Sequence, residues 1–158
     1  MPGRIAATIA CILLLLDATA QQQPPLDEAF ERDVIVIAAN DYVCYRFDVY
    51  LALSTEQKRR GLMFVRELPE MTGMLFVYNV EDYHSMWMKN TYIPLDILFA
   101  RANGEIVYIA RHTEPQSLES IGPAVPVTYV VELNAGMTVR LGIDVGSRLL
   151  PATDPGED

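Results

Sequence analysis

The chain has 158 residues, 51% of them hydrophobic, with 21 Asp and Glu against 12 Lys and Arg and a formal net charge of −9. One domain is the natural count at this length. An acid excess of this size repels nucleic acid and anionic lipid surfaces, so neither is expected as a partner; the only basic cluster, Lys58-Arg59-Arg60, is too small to reverse that.

The first element is a targeting segment. Arg4 supplies a positive start, and Ile5 to Leu16 form an apolar run interrupted only by Thr8. Ala18-Thr19-Ala20 then offers a small-x-small cleavage site ahead of the polar Gln21-Gln22-Gln23-Pro24-Pro25. The run falls short of the ~20 apolar residues that a bilayer span requires. Residues 1–20 are therefore expected to be a cleaved signal peptide, which makes the mature chain periplasmic or extracellular with no membrane anchor. No cysteine follows at a lipobox position. Cleavage removes Cys11 and leaves Cys44 alone, so an intramolecular disulfide is impossible. With only Arg46 as a basic neighbour, Cys44 reads as a small buried hydrophobe rather than a reactive thiol.

Residues 21–32 read as a flexible leader, 33–150 as one β-rich domain and 151–158 as an acidic tail. Tyr45, Phe47, Val49, Leu51 and Leu53 alternate with polar or smaller neighbours, the period of a half-buried strand. Ser54 opens a short helix with Gln57 completing a capping box, Lys58-Arg59-Arg60 in its last turn and Gly61 beyond it. This accounts for the basic triplet as a helix end. Further strands are expected at Met74 to Tyr78, His84 to Thr91, Leu95 to Ala102, Glu105 to Arg111 and Val127 to Leu133. A second helix is expected around Thr138 to Leu141, ending at Gly142.

Asn103-Gly104 suits a two-residue type I′ hairpin, which would set Phe99 opposite Tyr108, Leu98 opposite Ile109 and Asp96 opposite Arg111. Both faces of that hairpin are apolar, which places it centrally rather than at an edge. Short strands with frequent turns favour a two-layer β-sandwich or a partly closed barrel with one or two short helices.

Three constellations carry possible chemistry. On a strand, His84, Met86 and Met88 share a face, and imidazole with thioether suits Cu(I). Met also fills cores, and Met63, Met71, Met74 and Met137 lie in similar apolar contexts, so packing is the preferred reading. For catalysis the available groups are Lys89, Asp96, Glu114 and Glu132, with His84 and His112 lacking evident partners. Asp96 reads as the cross-strand mate of Arg111, Glu114 before Pro115 as loop polarity, and Glu132 as alternating outward between Val131 and Leu133. No nucleophile elbow, zinc motif or phosphate loop is present, so no catalytic residue and no cofactor is assigned. Trp87 and Lys89 share the strand face opposite Met86 and Met88. That pair could wall a cleft for a small polar ligand, with Asp96 or Glu132 answering the ammonium.

Arg60-Gly61-Leu62-Met63-Phe64, Gly73-Met74-Leu75-Phe76, Trp87-Met88-Lys89-Asn90-Thr91, Ile93-Pro94-Leu95-Asp96, Glu114-Pro115 and Glu132-Leu133-Asn134-Ala135-Gly136 together resemble, in order, the domain-of-unknown-function family 192, over Tyr45 to Leu149. The resemblance implies a compact, mainly β, extracytoplasmic domain. It also implies that Trp87, Lys89, Asn90, Asp96 and Glu132 occupy family motif positions. Two departures matter: Met86 stands where the family commonly has Phe, which weakens the copper reading, and Ser147 stands where an Asp is usual. The expectation is a non-catalytic domain that binds a small ligand or an envelope partner protein through Trp87, Lys89, Asn90, Asp96 and Glu132. The alternatives are an envelope enzyme using Asp96 or Glu132, and a Cu(I)-handling protein using His84, Met86 and Met88.

Overall fold

The computed structural model describes residues 23–151. The expected signal peptide and the tail beyond Pro151 lie outside the described residues. In chain order the elements are α1 (Leu26–Ala29), β1 (Glu31–Ala38), β2 (Cys44–Ala52), α2 (Thr55–Arg60), β3 (Thr72–Asp82), β4 (Leu95–Ala100), β5 (Ile106–Ala110), β6 (Val127–Asn134), α3 (Met137–Leu141) and β7 (Arg148–Pro151). The seven strands form one sheet in the order β5-β4-β6-β3-β2-β1-β7. All neighbours are antiparallel except β2 and β3, and a parallel pair demands a crossover, which α2 and its flanking turns supply.

The two ends of this sheet meet. Leu149 N–H donates to Gly104 O at 2.8 Å, Ile106 N–H donates to Ser147 O at 2.9 Å, and Glu105 bridges Arg148. The sheet is therefore nearly closed into a barrel with three short helices, and closure removes the unpaired edges that invite aggregation. One sheet face draws on every strand, through residues such as Ile35, Phe47, Leu75, Leu98, Ile106, Val131 and Leu149, and so is the barrel interior. The other face carries a second core on β2, β3, β4 and β6, where Tyr50, Met74, Phe76, Ile97 and Val130 lie under Phe30, Leu62, Leu68 and Met88. Burial on both faces explains why β4 is buried at every position.

Ser147, at the family's usual Asp position, is buried and fixes the approach to β7: its hydroxyl accepts from Asp144 N–H at 3.0 Å and donates to Ala39 O at 3.1 Å. The capping box of α2 and the end of α3 at Gly142 follow the sequence expectation.

Several expectations are corrected. From Gln23 onward the leader is part of the fold, since α1 forms within it and Phe30 is 4% exposed in the outer core. Cys44 is exposed at the start of β2, because the register of β2 puts Phe47 and Val49 inward and leaves the strand's first residue outside the barrel. His84 to Thr91 joins no ladder: Met86 alone pairs with Ile121, and the chain turns at Lys89-Asn90, where Thr91 N–H donates to Met88 O at 3.0 Å. Strand β5 ends the ladder instead of lying centrally; closure against β7 buries Ile106 at its start, while Tyr108 stays 37% exposed.

The hairpin is also not a two-residue turn. Arg101 N–H donates to Glu105 O, Gly104 N–H donates to Arg101 O, and Asn103 Oδ1 accepts from Glu105 N–H, which makes a wider loop with Gly104 at φ +80°. Ala100 pairs with Ile106, and a one-residue bulge at Val107 then restores the expected pairs Phe99 with Tyr108 and Leu98 with Ile109. The physical reason is closure, because Gly104 also meets β7. A Cβ there would lie 2.1 Å from Leu149 O. Gly104→Ala is accordingly expected to destabilise the fold by about 3 kcal/mol in urea denaturation, through positive φ and backbone clash together. A loss below about 1 kcal/mol would contradict the role of this glycine in closing the barrel.

Candidate ligand-binding site

On the outer face of β3 and β6 lies an open cavity of about 850 Å³. One wall is α2 and the turn after it. Ser54 Oγ accepts from Gln57 N–H at 3.1 Å while Gln57 Oε1 accepts from Ser54 N–H at 3.0 Å, which fixes where the helix begins. Gly61 ends it by donating its N–H to Gln57 O, so Lys58, Arg59 and Arg60 fall in the last turn and line the cavity. The facing wall is the segment 85–91, held away from the sheet by Met86 N–H to Ile121 O at 2.7 Å and Met88 N–H to Ser117 O at 3.0 Å. Met88 is fully buried, whereas Trp87 before it and Lys89, which opens the turn with Asn90, are exposed at the cavity. Phe64 N–H donates to Asn90 O at 2.9 Å and joins the two walls, with both residues at positive φ. Non-glycine residues held in that region carry strain that concentrates at functional sites.

The floor is Phe76, Tyr78 and Glu132. Glu132 is 4% exposed, and its Oε2 has no hydrogen-bond partner. Burial pushes its carboxyl up from an ordinary 4.5 to about 8, so it is largely uncharged at neutral pH. The neighbouring Tyr78 phenol is raised as well, by its own burial first and then by Glu132. Around this acid the rim is cationic. Lys89 Nζ sits 5.0 Å from the Trp87 ring centroid, Lys58 Nζ 4.7 Å from that of Tyr78, and the Arg60 guanidinium 5.1 Å from that of Phe30. Arg60 also donates to Pro24 O, while its Nε is buried without a partner. Burial lowers the pKa of Lys58 and Arg60. Every salt bridge among the described residues involves other cations, namely Arg32, Arg46, Arg111 and Arg140. A smaller cavity of about 280 Å³ adjoins the first and shares Ser85, Met86 and Trp87 with it.

Four of the five residues expected at a site, Trp87, Lys89, Asn90 and Glu132, thus line one cavity, and Asp96 does not. Asp96 pairs in register with Leu133 and Ile97 with Glu132, so the two carboxylates point to opposite faces of the sheet. The outward alternation expected for Glu132 holds only in direction, since the outer face is covered there. Asp96 forms no ion pair with Arg111. Its carboxylate is taken by Thr138 and by His112 N–H, and Arg111 turns to Asp144 at 2.6 Å. The Thr138 hydroxyl links the two, donating to Asp96 and accepting from Arg111 Nε.

The copper candidates each have another engagement: His84 stacks on Tyr78 at 3.5 Å, Met86 packs against the outer core, and Met88 Sδ accepts from the Thr113 hydroxyl at 3.2 Å. Lys58, Arg59, Arg60 and Tyr78 were not legible as site residues. The signal was the chain's one basic cluster running directly into Gly61, and assigning it to the helix end explained it without excluding a second role.

The sequence model of the family DUF192, described as an uncharacterized ACR, matches residues 35–150. A crystal structure of a proposed transcription regulator from Sinorhizobium meliloti 1021 is 37% identical and superposes with a TM-score of 0.76, covering 78% of this chain and 95% of that one. A protein of unknown function from Novosphingobium aromaticivorans DSM 12444 is 32% identical, with a TM-score of 0.71 over 74% of this chain and 83% of its own. No curated protein matches. With the family model spanning most of the fold, from β1 to β7, the chain belongs to the DUF192 family.

Proposed function

We propose that the chain is an exported, non-catalytic binding domain that takes a small oxyanion into the cavity between α2 and the segment 85–91. The observation that carries this reading is charge placement. Lys58, Arg59, Arg60 and Lys89 converge on one concavity with no ion-pair partner among the described residues, in a chain of net charge −9. A concave, aromatic-walled site focuses the field of such cations on a ligand small enough to enter. Extended nucleic acid fits less well, because its phosphates would meet the acidic remainder of the surface. Catalysis by a carboxylate pair has no support, because Asp96 and Glu132 face apart. Export rests on the apolar run and cleavage site near the N-terminus.

Trp87 is the chain's one tryptophan and stands 47% exposed at the cavity, so its fluorescence reports occupancy. Titration with sulfate, oxalate and glucuronate is expected to give a saturable change with at least one of them, weakened about tenfold in Lys89→Met by loss of a charge-assisted contact. The melting temperature should hold, because Lys89 is exposed. No response to any of the three, or an equal response to uncharged glucose, would contradict the proposal.

A further inference from the structure

We infer that Glu132 contacts the ligand and sets its specificity: it meets the anion as an uncharged carboxylic acid and donates a hydrogen bond to a ligand oxygen, so the site accepts oxyanions and refuses amines. This rests on the reading of the cavity as an anion site. The geometry supplies three observations. Glu132 lines the cavity at 4% exposure with Oε2 unpartnered, and a buried polar atom left in that condition marks the place where a partner is to come. Beside it stands Gly61, which brings no side chain of its own; a Cβ there would lie 3.2 Å from Phe76 Cζ and 4.0 Å from Glu132 Oε2.

The third observation is what surrounds it. Its register neighbours are Met74 on β3 and Ile97 on β4, neither of which can ionise. The titratable groups that share the cavity are Glu56, Lys58, Arg59 and Arg60 from α2, Tyr78 from β3 and Lys89 from the facing segment. None of them forms a hydrogen bond or salt bridge to Glu132, so its apolar bed keeps it protonated up to about pH 8. In that state it has one O–H to give. A ligand oxyanion is an acceptor for that O–H and is attracted by the four cations that share the cavity, whereas a ligand ammonium would find no anion on the floor and, around the cavity, Glu56 alone against those four. Ionised, Glu132 would set a carboxylate against the bound anion, so affinity must fall as pH rises through the value at which it loses its proton. Lys58, whose own pKa is lowered, could imitate that fall; an amide at position 132 separates the two, because it keeps a donor and does not titrate.

Sulfate, oxalate and glucuronate hold constant charge between about pH 6.5 and about pH 9.5, which makes them suitable probes for the wild type and Glu132→Gln by Trp87 fluorescence. For the tightest of the three, wild-type affinity is expected to drop about tenfold or more across that interval. Glu132→Gln should bind within about threefold of wild type at the lower pH and change by less than about threefold across the interval. A flat wild-type profile overturns the inference while leaving anion binding intact. A variant that weakens as steeply as wild type assigns the fall to the lysines and overturns it too. A folded variant that binds at neither pH means that the ligand meets a carboxylate and not an acid, and this also overturns it. If the wild type binds none of the probes at any pH, the anion reading fails and this inference falls with it.

Discussion

Asp96→Ala is expected to remove about 4 kcal/mol of stability, the largest loss of any single side chain outside the apolar cores. Asp96 is fully buried, and its Oδ2 accepts from Thr138 N–H at 3.0 Å and from the Thr138 hydroxyl at 2.7 Å while Oδ1 accepts from His112 N–H at 3.0 Å. Helix α3 starts at Gly136, which has no side chain to cap it, so Asp96 performs that task from β4. Alanine would leave the Thr138 amide and hydroxyl buried without their acceptor and would loosen the attachment of Arg111 to the same hydroxyl. Burial by itself would raise the Asp96 pKa, but the bonds from the Thr138 hydroxyl and the backbone at His112, Thr138 and Gly136 outweigh it and hold the group below its ordinary value. A depressed carboxylate contributes stability above the unfolded-state pKa and loses it as pH falls through the folded one. Urea denaturation at neutral pH and at about pH 3 should therefore show the wild type losing part of its advantage over the alanine variant in acid. A difference below about 1 kcal/mol at neutral pH would show that α3 is held by other means.

Glu132→Gln is expected to act in the opposite direction, and its sign should depend on pH. In the folded chain the Glu132 carboxyl loses its proton near 8, in the open chain near 4.5. Between those values the native state retains a proton that the unfolded state has released, so stability falls as pH rises through that window and is level outside it. The full effect is on the order of 5 kcal/mol. Glutamine does not titrate, so the variant escapes this loss. Its extra N–H, placed where Oε2 has no partner, costs about 1–3 kcal/mol at every pH. The variant should thus melt at or below wild type near pH 5 and above it near pH 9, with curves that cross between them. Parallel curves would show that Glu132 ionises normally, and the chemistry assigned to the cavity floor would lose its basis. This measurement needs no ligand.

The parts of the fold legible in the sequence are those set by neighbours along the chain. The capping box at Ser54 and Gln57, the period-two run of β2 and the Gly142 terminus of α3 are all specified within a few residues, and they occur where expected. The pairs Leu98 with Ile109 and Phe99 with Tyr108 held only because the bulge at Val107 compensated a wider loop, and that loop is shaped by contact with Leu149, 45 residues downstream of Gly104. Contacts over such separations leave no local trace. The same reason governs the site. Trp87, Lys89 and Asn90 drew notice by composition, and Trp87 and Lys89 are exposed as expected, although no ladder forms there and Lys89 owes its position to a turn. Glu132 looked like one more solvated position on an alternating strand. Part of its cover is the turn at Gly61 that ends α2 and stands against Phe76 and Glu132, a contact that alternation along β6 could not reveal. The exposure of Cys44 and the order in the leader likewise depend on where the barrel closes and what packs on it.

Anomalous diffraction from crystals of the protein grown with selenate, a heavy-atom counterpart of sulfate, tests whether the cavity between α2 and the segment 85–91 receives an oxyanion over the Glu132 carboxyl. A selenium peak is expected inside the cavity, with selenate oxygens within hydrogen-bond distance of Glu132 and of at least one of Arg60 and Lys89. Selenium found only at the exposed Arg32, Arg46 or Arg140, with the cavity free of it, would contradict the account.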